Sequence, residues 1–200
     1  MGKFIKIKFC GLKQQTEVDF CTQNNVDFLG FVFYSKSPRN IILQNFQHLN
    51  LVNAQAVVAV FKNPNIREIN AVLQLNRVDF IQIHGNNTDD TVQYFNGKIG
   101  LIKAFSGNYF SEQELGKYNF CNYFLFDGAT EGSGLKRDFS FAKNLPTKKP
   151  FFLAGGINSS NLHAPLQYTN YIDLSSGIEE RHGEKSIKMM EEFLKKSQCT

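Results

Sequence analysis

Two residues that can move protons stand directly after apolar, strand-like segments of this sequence. Cys10 follows one such segment near the N-terminus, and Asp127 follows Tyr123-Phe124-Leu125-Phe126. A cysteine acts as a general base only as thiolate, which needs a positive or hydrogen-bonding environment. Lys8 shares its strand face under simple alternation and can supply charge. An aspartate at the mouth of an apolar barrel can hold its proton long enough to act as a general acid.

Both residues also have a purely structural interpretation. Cys10 can be a small buried hydrophobic residue at a strand end. Asp127 can open an Asx turn before Gly128. Position alone leaves the two interpretations of Cys10 even and favours the turn for Asp127, so the functional interpretation depends on the surrounding pattern.

Glycine-rich segments follow three consecutive strand-like segments in the C-terminal half. Glycine lets backbone N–H groups converge on an anion, and a helix beginning in such a loop adds its positive dipole end. Each glycine alone is an ordinary turn residue, but three such segments at consecutive strand ends favour a phosphate site. The candidate residues are Gly132, Ser133 and Gly134, then Gly155 and Gly156, then Ser175, Ser176 and Gly177.

Two further residues are candidates for substrate contact. Arg39 follows Ser37-Pro38 in a loop, and its planar guanidinium suits a carboxylate, although most loop arginines are simply solvated. His84 can transfer a proton, contact a substrate or be a satisfied core residue. We favour a lining role for His84 without proton transfer.

The elements that must position these residues are eight short apolar segments separated by stretches with helical spacing or composition. Repeated strand and helix predict a parallel sheet with helical crossovers, and Val57-Val58-Ala59-Val60-Phe61 is apolar on both faces, as a buried parallel strand must be. Eight repeats in one domain, residues 1–200, predict an α/β fold: a compact (β/α)8 TIM barrel with short loops and reduced helices, weakest after strands five and six. The competing fold is an open doubly wound sheet, but the first strand lacks a Gly-x-Gly-x-x-Gly turn. The strand-like segments are residues 4–9, 27–33, 56–61, 80–83, 100–105, 123–126, 151–154 and 171–174.

Composition excludes several classes of partner. The net charge is only +4 and adjacent basic residues occur only in pairs, which argues against nucleic acid. No apolar stretch is long enough to cross a bilayer, and lysines interrupt the first apolar segment, so we expect a cytoplasmic protein without a signal peptide. The four cysteines lack the spacing of a zinc site and are expected to be free thiols. Oligomeric state is not encoded in any recognisable pattern.

Six motifs, in order along essentially the whole chain, resemble those of the phosphoribosylanthranilate isomerase family of tryptophan biosynthesis. The first strand and its successor carry Lys8-Phe9-Cys10-Gly11-Leu12 and Gly30-Phe31-Val32-Phe33 with Ser37-Pro38-Arg39. The others are Gln82-Ile83-His84-Gly85, Asp127 with Gly132-Ser133-Gly134 and Asp138, Leu153-Ala154-Gly155-Gly156-Ile157, and Asp173-Leu174-Ser175-Ser176-Gly177-Ile178-Glu179.

The resemblance implies a (β/α)8 barrel and an Amadori rearrangement of N-(5-phosphoribosyl)anthranilate, with no metal and no organic cofactor. It implies Asp127 as the acid that opens the ribose ring and Cys10 as the base at C2. Arg39 would bind the anthranilate carboxylate, Gln82 and His84 would contact substrate, and the glycine-rich strand ends would bind phosphate. The chain departs from the family pattern at a few positions, namely Phe9, Glu131, Arg137 and Phe139.

Two other functions are alternatives to this one: a metal-dependent epimerase and a sugar-phosphate binder without activity. A ribulose-phosphate epimerase would share the barrel and the phosphate site, but such enzymes usually need His and Asp metal ligands at strand ends, which the sequence does not offer. A barrel that binds a sugar phosphate without converting it would not need Cys10 and Asp127 together.

Overall fold

Eight parallel strands close into a barrel in the computed structural model, which describes residues 4–86, 88–128 and 138–199. Each strand pairs with the next in sequence, and the last pairs with the first, so the predicted barrel is confirmed and the open doubly wound sheet is wrong. The predicted strand limits agree with the structure to within two residues. The strands are β1 (Lys6–Cys10), β2 (Phe28–Val32), β3 (Val57–Lys62), β4 (Phe80–His84), β5 (Gly100–Ser106), β6 (Tyr123–Asp127), β7 (Phe151–Ala154) and β8 (Tyr171–Leu174).

Short helices surround the barrel, and several are reduced to one or two turns. The weak helices expected after strands five and six are found as α5 and as a 3-10 segment, Ser140–Asn144; the segment after β7, Pro165–Gln167, is reduced as well. None of the helices in the described ranges is long and apolar enough to span a membrane. The α-helices are α1 (Gln15–Gln23), α2 (Leu43–His48), α3 (Ile66–Leu73), α4 (Asp89–Tyr94), α5 (Glu112–Gly116) and α6 (Ile187–Gln198).

After β8 the chain forms a further 3-10 turn, Ser176–Ile178, and then a small antiparallel hairpin that the sequence analysis did not anticipate. Its strands are β9 (Glu179–Arg181) and β10 (Glu184–Lys185). Gly183 lies in the turn with φ +84°, and a Cβ there would come within 2.7 Å of the Pro38 carbonyl oxygen. The hairpin therefore packs against the loop that follows β2.

The barrel separates two apolar cores. The outer one lies between strands and helices and includes Phe9 of β1, which meets Phe193 of α6 edge to face with ring centroids 6.2 Å apart. The inner one fills the barrel. At the N-terminal ends of the strands it begins with an aromatic layer of Phe28, Phe80, Tyr123 and Tyr171, against which Phe152 packs.

Polar side chains replace this apolar filling toward the C-terminal ends of the strands. Lys8, Gln82 and Asp173 are all buried, and alternation along their strands points them into the barrel. His84 and Asp127 lie one inward position nearer the C-terminal ends and are partly exposed. The lower barrel is thus an apolar plug, and the polar chemistry is confined to its mouth.

Candidate active site

Cys10 and Asp127 are the last residues of β1 and β6, at the barrel face where the strands end. Their neighbours Phe9 and Phe126 belong to the outer core, whereas Cys10 belongs to the inner one. Strand alternation therefore points both side chains into the barrel mouth. Cys10 is almost completely buried and Asp127 is partly exposed.

Cys10 lies among charged groups inside an apolar wall. Burial raises the pKa of its thiol above the ordinary value, and the Asp173 carboxylate adds to this effect. The positive charges of Lys8 and Lys185 act in the opposite direction, and Lys8 has the larger effect of the two. The thiolate is thus opposed by desolvation and supported by two lysines.

Lys8 forms a buried ion pair across the junction of the first and last strands. Its Nζ lies 2.8 Å from Asp173 Oδ1, and the lysine side chain is fully buried. Burial alone would lower the pKa of Lys8, but Asp173 and Cys10 outweigh it and raise the pKa above its ordinary value. Lys8 therefore keeps its charge at neutral pH.

Arg39 lies over the turn that follows Cys10. Gly11 has φ +84°, and a Cβ there would come within 2.8 Å of Arg39 Cδ, so the arginine stem occupies the space above a residue that has to be glycine. The charge of Arg39 interacts with both Cys10 and Asp127. The guanidinium is therefore near both proton-transfer candidates.

Glu179 of the hairpin holds this arginine by two hydrogen bonds. Arg39 Nε donates to Oε1 at 2.6 Å and Nη2 donates to Oε2 at 2.8 Å. Lys185 Nζ donates to Oε1 of the same carboxylate at 2.7 Å, and the Gly183 N–H donates to Oε2 at 3.2 Å. Burial would raise the pKa of Glu179, but these bonds lower it to about 2. Glu179 is therefore ionised and fixes two cations beside the mouth.

The glycine-rich loops after β7 and β8 touch each other. Gly155 and Gly156 have φ +104° and +56°, and a Cβ at Gly177 would collide with the Ile157 carbonyl oxygen. No described residue accepts a backbone hydrogen bond from the N–H groups of Gly155 and Gly156. Gly132, Ser133 and Gly134, the remaining phosphate candidates, lie outside the described residues.

His84 and Gln82 are neighbours on the inner face of β4. Their Nε2 atoms are 2.6 Å apart, and Gln82 lies below His84 with almost no exposed surface. Burial, followed by the charges of Lys8, Lys103 and Lys62, lowers the pKa of His84 to about 3, so its imidazole is neutral at physiological pH. Gln82 Oε1 is buried without a hydrogen-bond partner among the described residues.

Sequence reasoning assigned no role to three charged residues that the fold brings to the mouth. Asp173 and Glu179 were noted only as parts of a motif, and Lys185 was not singled out. A signal was available for Asp173, because a carboxylate within the apolar segment Tyr171–Leu174 is costly to bury unless it is paired. No comparable signal marks Lys185, since a lysine in a polar stretch is ordinarily solvent-exposed.

Comparison with known proteins places the chain among enzymes of one kind. The model of the N-(5′-phosphoribosyl)anthranilate (PRA) isomerase family matches residues 7–196. A relative from Streptococcus mutans named N-(5′-phosphoribosyl)anthranilate isomerase is 32% identical over 193 residues, covering 94% of this chain and 96% of its own.

Solved structures agree in fold over nearly the whole length. The phosphoribosyl anthranilate isomerase of Thermus thermophilus superposes with a TM-score of 0.85 at 26% identity, covering 98% of this chain and 99% of its own. A second such isomerase, solved with reduced 1-(o-carboxyphenylamino)-1-deoxyribulose 5-phosphate, has a TM-score of 0.79 at 24% identity, covering 98% of this chain and all of its own. With its barrel, its motifs and a family match over almost every residue, this chain belongs to the N-(5′-phosphoribosyl)anthranilate isomerase family.

Proposed function

We propose that this chain isomerises N-(5′-phosphoribosyl)anthranilate to 1-(2-carboxyphenylamino)-1-deoxyribulose 5-phosphate, with Asp127 as general acid and Cys10 as general base. The observation that carries the assignment is the position of both side chains at the ends of inner strand faces, with the charge of Arg39 within reach of both. Membership of the isomerase family supports the reaction, and the structural relative solved with a reduced product analogue supports a phosphorylated small-molecule substrate.

The proposed reaction needs one acid and one base and is balanced without a second substrate. Asp127 gives its proton to the ribose ring oxygen, the bond between that oxygen and C1 breaks, and the anilino nitrogen forms a Schiff base with C1. The Cys10 thiolate then removes the C2 proton, leaving an enolamine. Protonation at C1 and loss of the C2 hydroxyl proton give the aminoketone. Each group must lie within roughly 3 Å of the atom that it serves.

Arg39 is the proposed partner of the anthranilate carboxylate. Its bonds to Glu179 use Nε and Nη2, and no described residue accepts a hydrogen bond from Nη1. Glu179 thereby fixes the plane of the guanidinium and leaves an edge for a second carboxylate. In this proposal Gln82 and His84 line the same mouth as substrate-binding residues.

The proposed phosphate site lies between the loops after β7 and β8. Positive φ at Gly155 and Gly156 turns the backbone there, and the contact of Gly177 with Ile157 brings the second loop alongside. Backbone N–H groups that have no acceptor among the described residues, as at Gly155 and Gly156, are suited to phosphate oxygens. Gly132, Ser133 and Gly134 remain in the proposal from the sequence alone, as do Ser175 and Ser176 beside Gly177.

Arg39→Ala is expected to raise KM by about 10- to 100-fold, the loss expected for a charge-assisted hydrogen bond, with a smaller effect on kcat. The carboxylate persists unchanged through the reaction, so its contact contributes equally to the ground and transition states. Glu179 keeps Lys185 as a partner in this variant. Steady-state kinetics on the wild type and the variant measure both constants.

Lys36→Ala is the matched control for Arg39, because Lys36 is an exposed cation of the same loop. It is expected to leave KM near the wild-type value. A large fall in kcat with unchanged KM in Arg39→Ala would contradict the binding role.

The purified protein is expected to consume N-(5′-phosphoribosyl)anthranilate in the presence of a metal chelator. The proposed chemistry uses a thiolate and a carboxylic acid, and no group of three His, Cys, Asp or Glu residues in the described ranges is arranged to hold a metal ion. The loss of substrate fluorescence or the appearance of product by chromatography measures turnover.

Three outcomes separate the competing functions. Turnover with chelator supports the proposal. Epimerisation of ribulose 5-phosphate that disappears with chelator and returns with a divalent ion would favour a metal-dependent epimerase. Binding of the substrate without conversion would make the protein a sugar-phosphate binder.

A further inference from the structure

We propose that Lys8, anchored by Asp173, is a positioning residue whose ammonium stabilises the thiolate of Cys10 from below the barrel mouth. This role presupposes the proposed function, in which Cys10 is the base. It gives a role to the ion pair of Lys8 and Asp173, neither of which transfers a proton in the proposed reaction.

The geometry directs the ammonium at the thiol. Lys8 and Cys10 are both inward residues of β1, two positions apart, and Lys8 Nζ is fixed at 2.8 Å from Asp173 Oδ1 of β8. A Cβ at Gly30 of β2 would lie 3.1 Å from Lys8 Nζ and 3.1 Å from Cys10 Sγ. The two atoms therefore share the space that Gly30 leaves open, and they lie within about 6 Å of each other, a range in which an opposite charge strongly stabilises an ion.

Stability of the fold does not by itself require this ion pair. Most inward positions of the barrel are occupied by apolar side chains, and a buried ion pair often contributes no more stability than apolar residues of similar volume. The lysine is also entirely enclosed, so its charge is not screened by water. A fully buried cation beside a residue that must lose a proton has a chemical use that an apolar residue would lack.

Other charged groups also surround Cys10, but each has a different partner or the opposite effect on the thiolate. Lys185 of β10 and Arg39 from the loop after β2 both donate to Glu179, and Asp173 opposes the thiolate. The charge of Arg39 is further shared with Asp127 across the mouth, and His84 of β4 is neutral. Of the three cations, Lys8 has the largest effect on Cys10, and it lies on the same inward face of β1.

The test measures the thiol itself. Carboxamidomethylation of Cys10 by iodoacetamide is followed against pH, with each cysteine read from its own peptide by mass spectrometry. Cys199 is exposed and serves as the internal reference for the reagent. In Lys8→Met the midpoint of Cys10 alkylation is expected to rise by about 1 to 3 pH units relative to wild type, the usual effect of removing an opposite charge at this range.

Lys103→Met is the matched control. Lys103 is a second buried lysine, but it donates to the Gly85 carbonyl and the Thr88 hydroxyl and forms cation–π contacts with Phe105 and Tyr118 of the outer core. Its replacement is expected to leave the Cys10 midpoint in place. A comparable rise in Lys103→Met would mean that Cys10 responds to general loosening and not to Lys8.

A second variant distinguishes the loss of the Lys8 charge from a folding defect caused by Lys8→Met. Lys8→Met leaves the Asp173 carboxylate buried and unpaired, which is destabilising. The double variant Lys8→Met/Asp173→Asn avoids this problem, because it removes both charges with little change of shape. Its Cys10 midpoint is expected to rise by a smaller amount, because the opposing carboxylate is removed too. An unchanged midpoint in either variant, with folding verified by circular dichroism, would overturn the role of Lys8.

Turnover separates this inference from the proposed function. If Cys10→Ala retains normal turnover, Cys10 is not the base and the proposed function fails, whatever the alkylation profile shows. If Cys10→Ala is inactive while Lys8→Met keeps the wild-type alkylation midpoint, the base assignment stands and the role of Lys8 is wrong.

Discussion

Cys10→Ala is expected to lower kcat by about 100- to 10,000-fold, the range typical for loss of a positioned acid or base. Without the thiolate no other described group at the end of β1 can take the C2 proton. The change removes one buried sulfur at the rim of the inner core, so the barrel is expected to stay folded. Single-turnover kinetics at saturating substrate isolate the chemical step from product release.

Cys21→Ala is the appropriate control for Cys10. Cys21 is also fully buried, but it lies on α1 in the outer core between the helices and the strands. Its replacement is expected to cost some stability and leave kcat per folded molecule near normal. A Cys10→Ala variant with near-normal kcat would end the assignment of Cys10 as base.

Asp127→Asn is expected to lower kcat by a similar factor, about 100- to 10,000-fold. The amide keeps the shape of the side chain but cannot transfer a proton to the ring oxygen, so ring opening stops. The wild-type pH–rate profile is expected to be bell-shaped, because activity needs a thiolate and a carboxylic acid at once. In Asp127→Asn the residual activity is expected to lose the limb that reports the acid.

Asp79→Asn supplies the comparison at the opposite end of the barrel. Asp79 lies just before β4, and its Oδ2 accepts a hydrogen bond of 2.7 Å from the N–H of Val57, the first residue of β3. Asparagine retains an acceptor at this position. Both limbs of the pH profile are expected to persist in this variant. A bell-shaped profile of full height in Asp127→Asn would show that another group protonates the substrate.

The strands were predictable because the residues on both faces of a buried parallel strand are apolar. Segments such as Val57-Val58-Ala59-Val60-Phe61 face apolar layers on both sides, so every residue is apolar and the segment admits few other interpretations. The same regularity placed Cys10 and Asp127 at the barrel mouth, since a strand that ends there presents its last inward residue to the mouth. The strand-end rule needed no tertiary information beyond the repeat itself.

The hairpin of β9 and β10 was not predictable on the same basis. Glu179–Arg181 and Glu184–Lys185 are too short and too polar to show alternation. What holds them is the packing of Gly183 against Pro38 and the shared carboxylate of Glu179, and both contacts join segments far apart in sequence. The buried ammonium of Lys185 is compensated by that carboxylate and by the Ser175 carbonyl, to which it donates at 3.1 Å.

The ion-pair partner of Lys8 could not be predicted from the sequence for a related reason. Alternation along β1 already indicated that Lys8 shares the face of Cys10, but its pairing with Asp173 depends on the register of β8 against β1. That register is set only when the barrel closes. Local sequence therefore reveals the direction of a side chain more readily than the identity of its partner.

The mouth is held together by contacts between segments far apart in the sequence, and this imposes an order on its assembly during synthesis. Lys8 meets Asp173 across 165 residues, Arg39 meets Glu179 across 140, and the Ser175 hydroxyl binds the Cys10 carbonyl across 165. Until Asp173 and Glu179 have been synthesised, the nascent chain holds Lys8 and Arg39 without their carboxylates. Contacts so distant in sequence form late and slowly. A fragment without β8 and the hairpin lacks the carboxylates that anchor Lys8 and Arg39, so the charged mouth is assembled only after these segments have been synthesised.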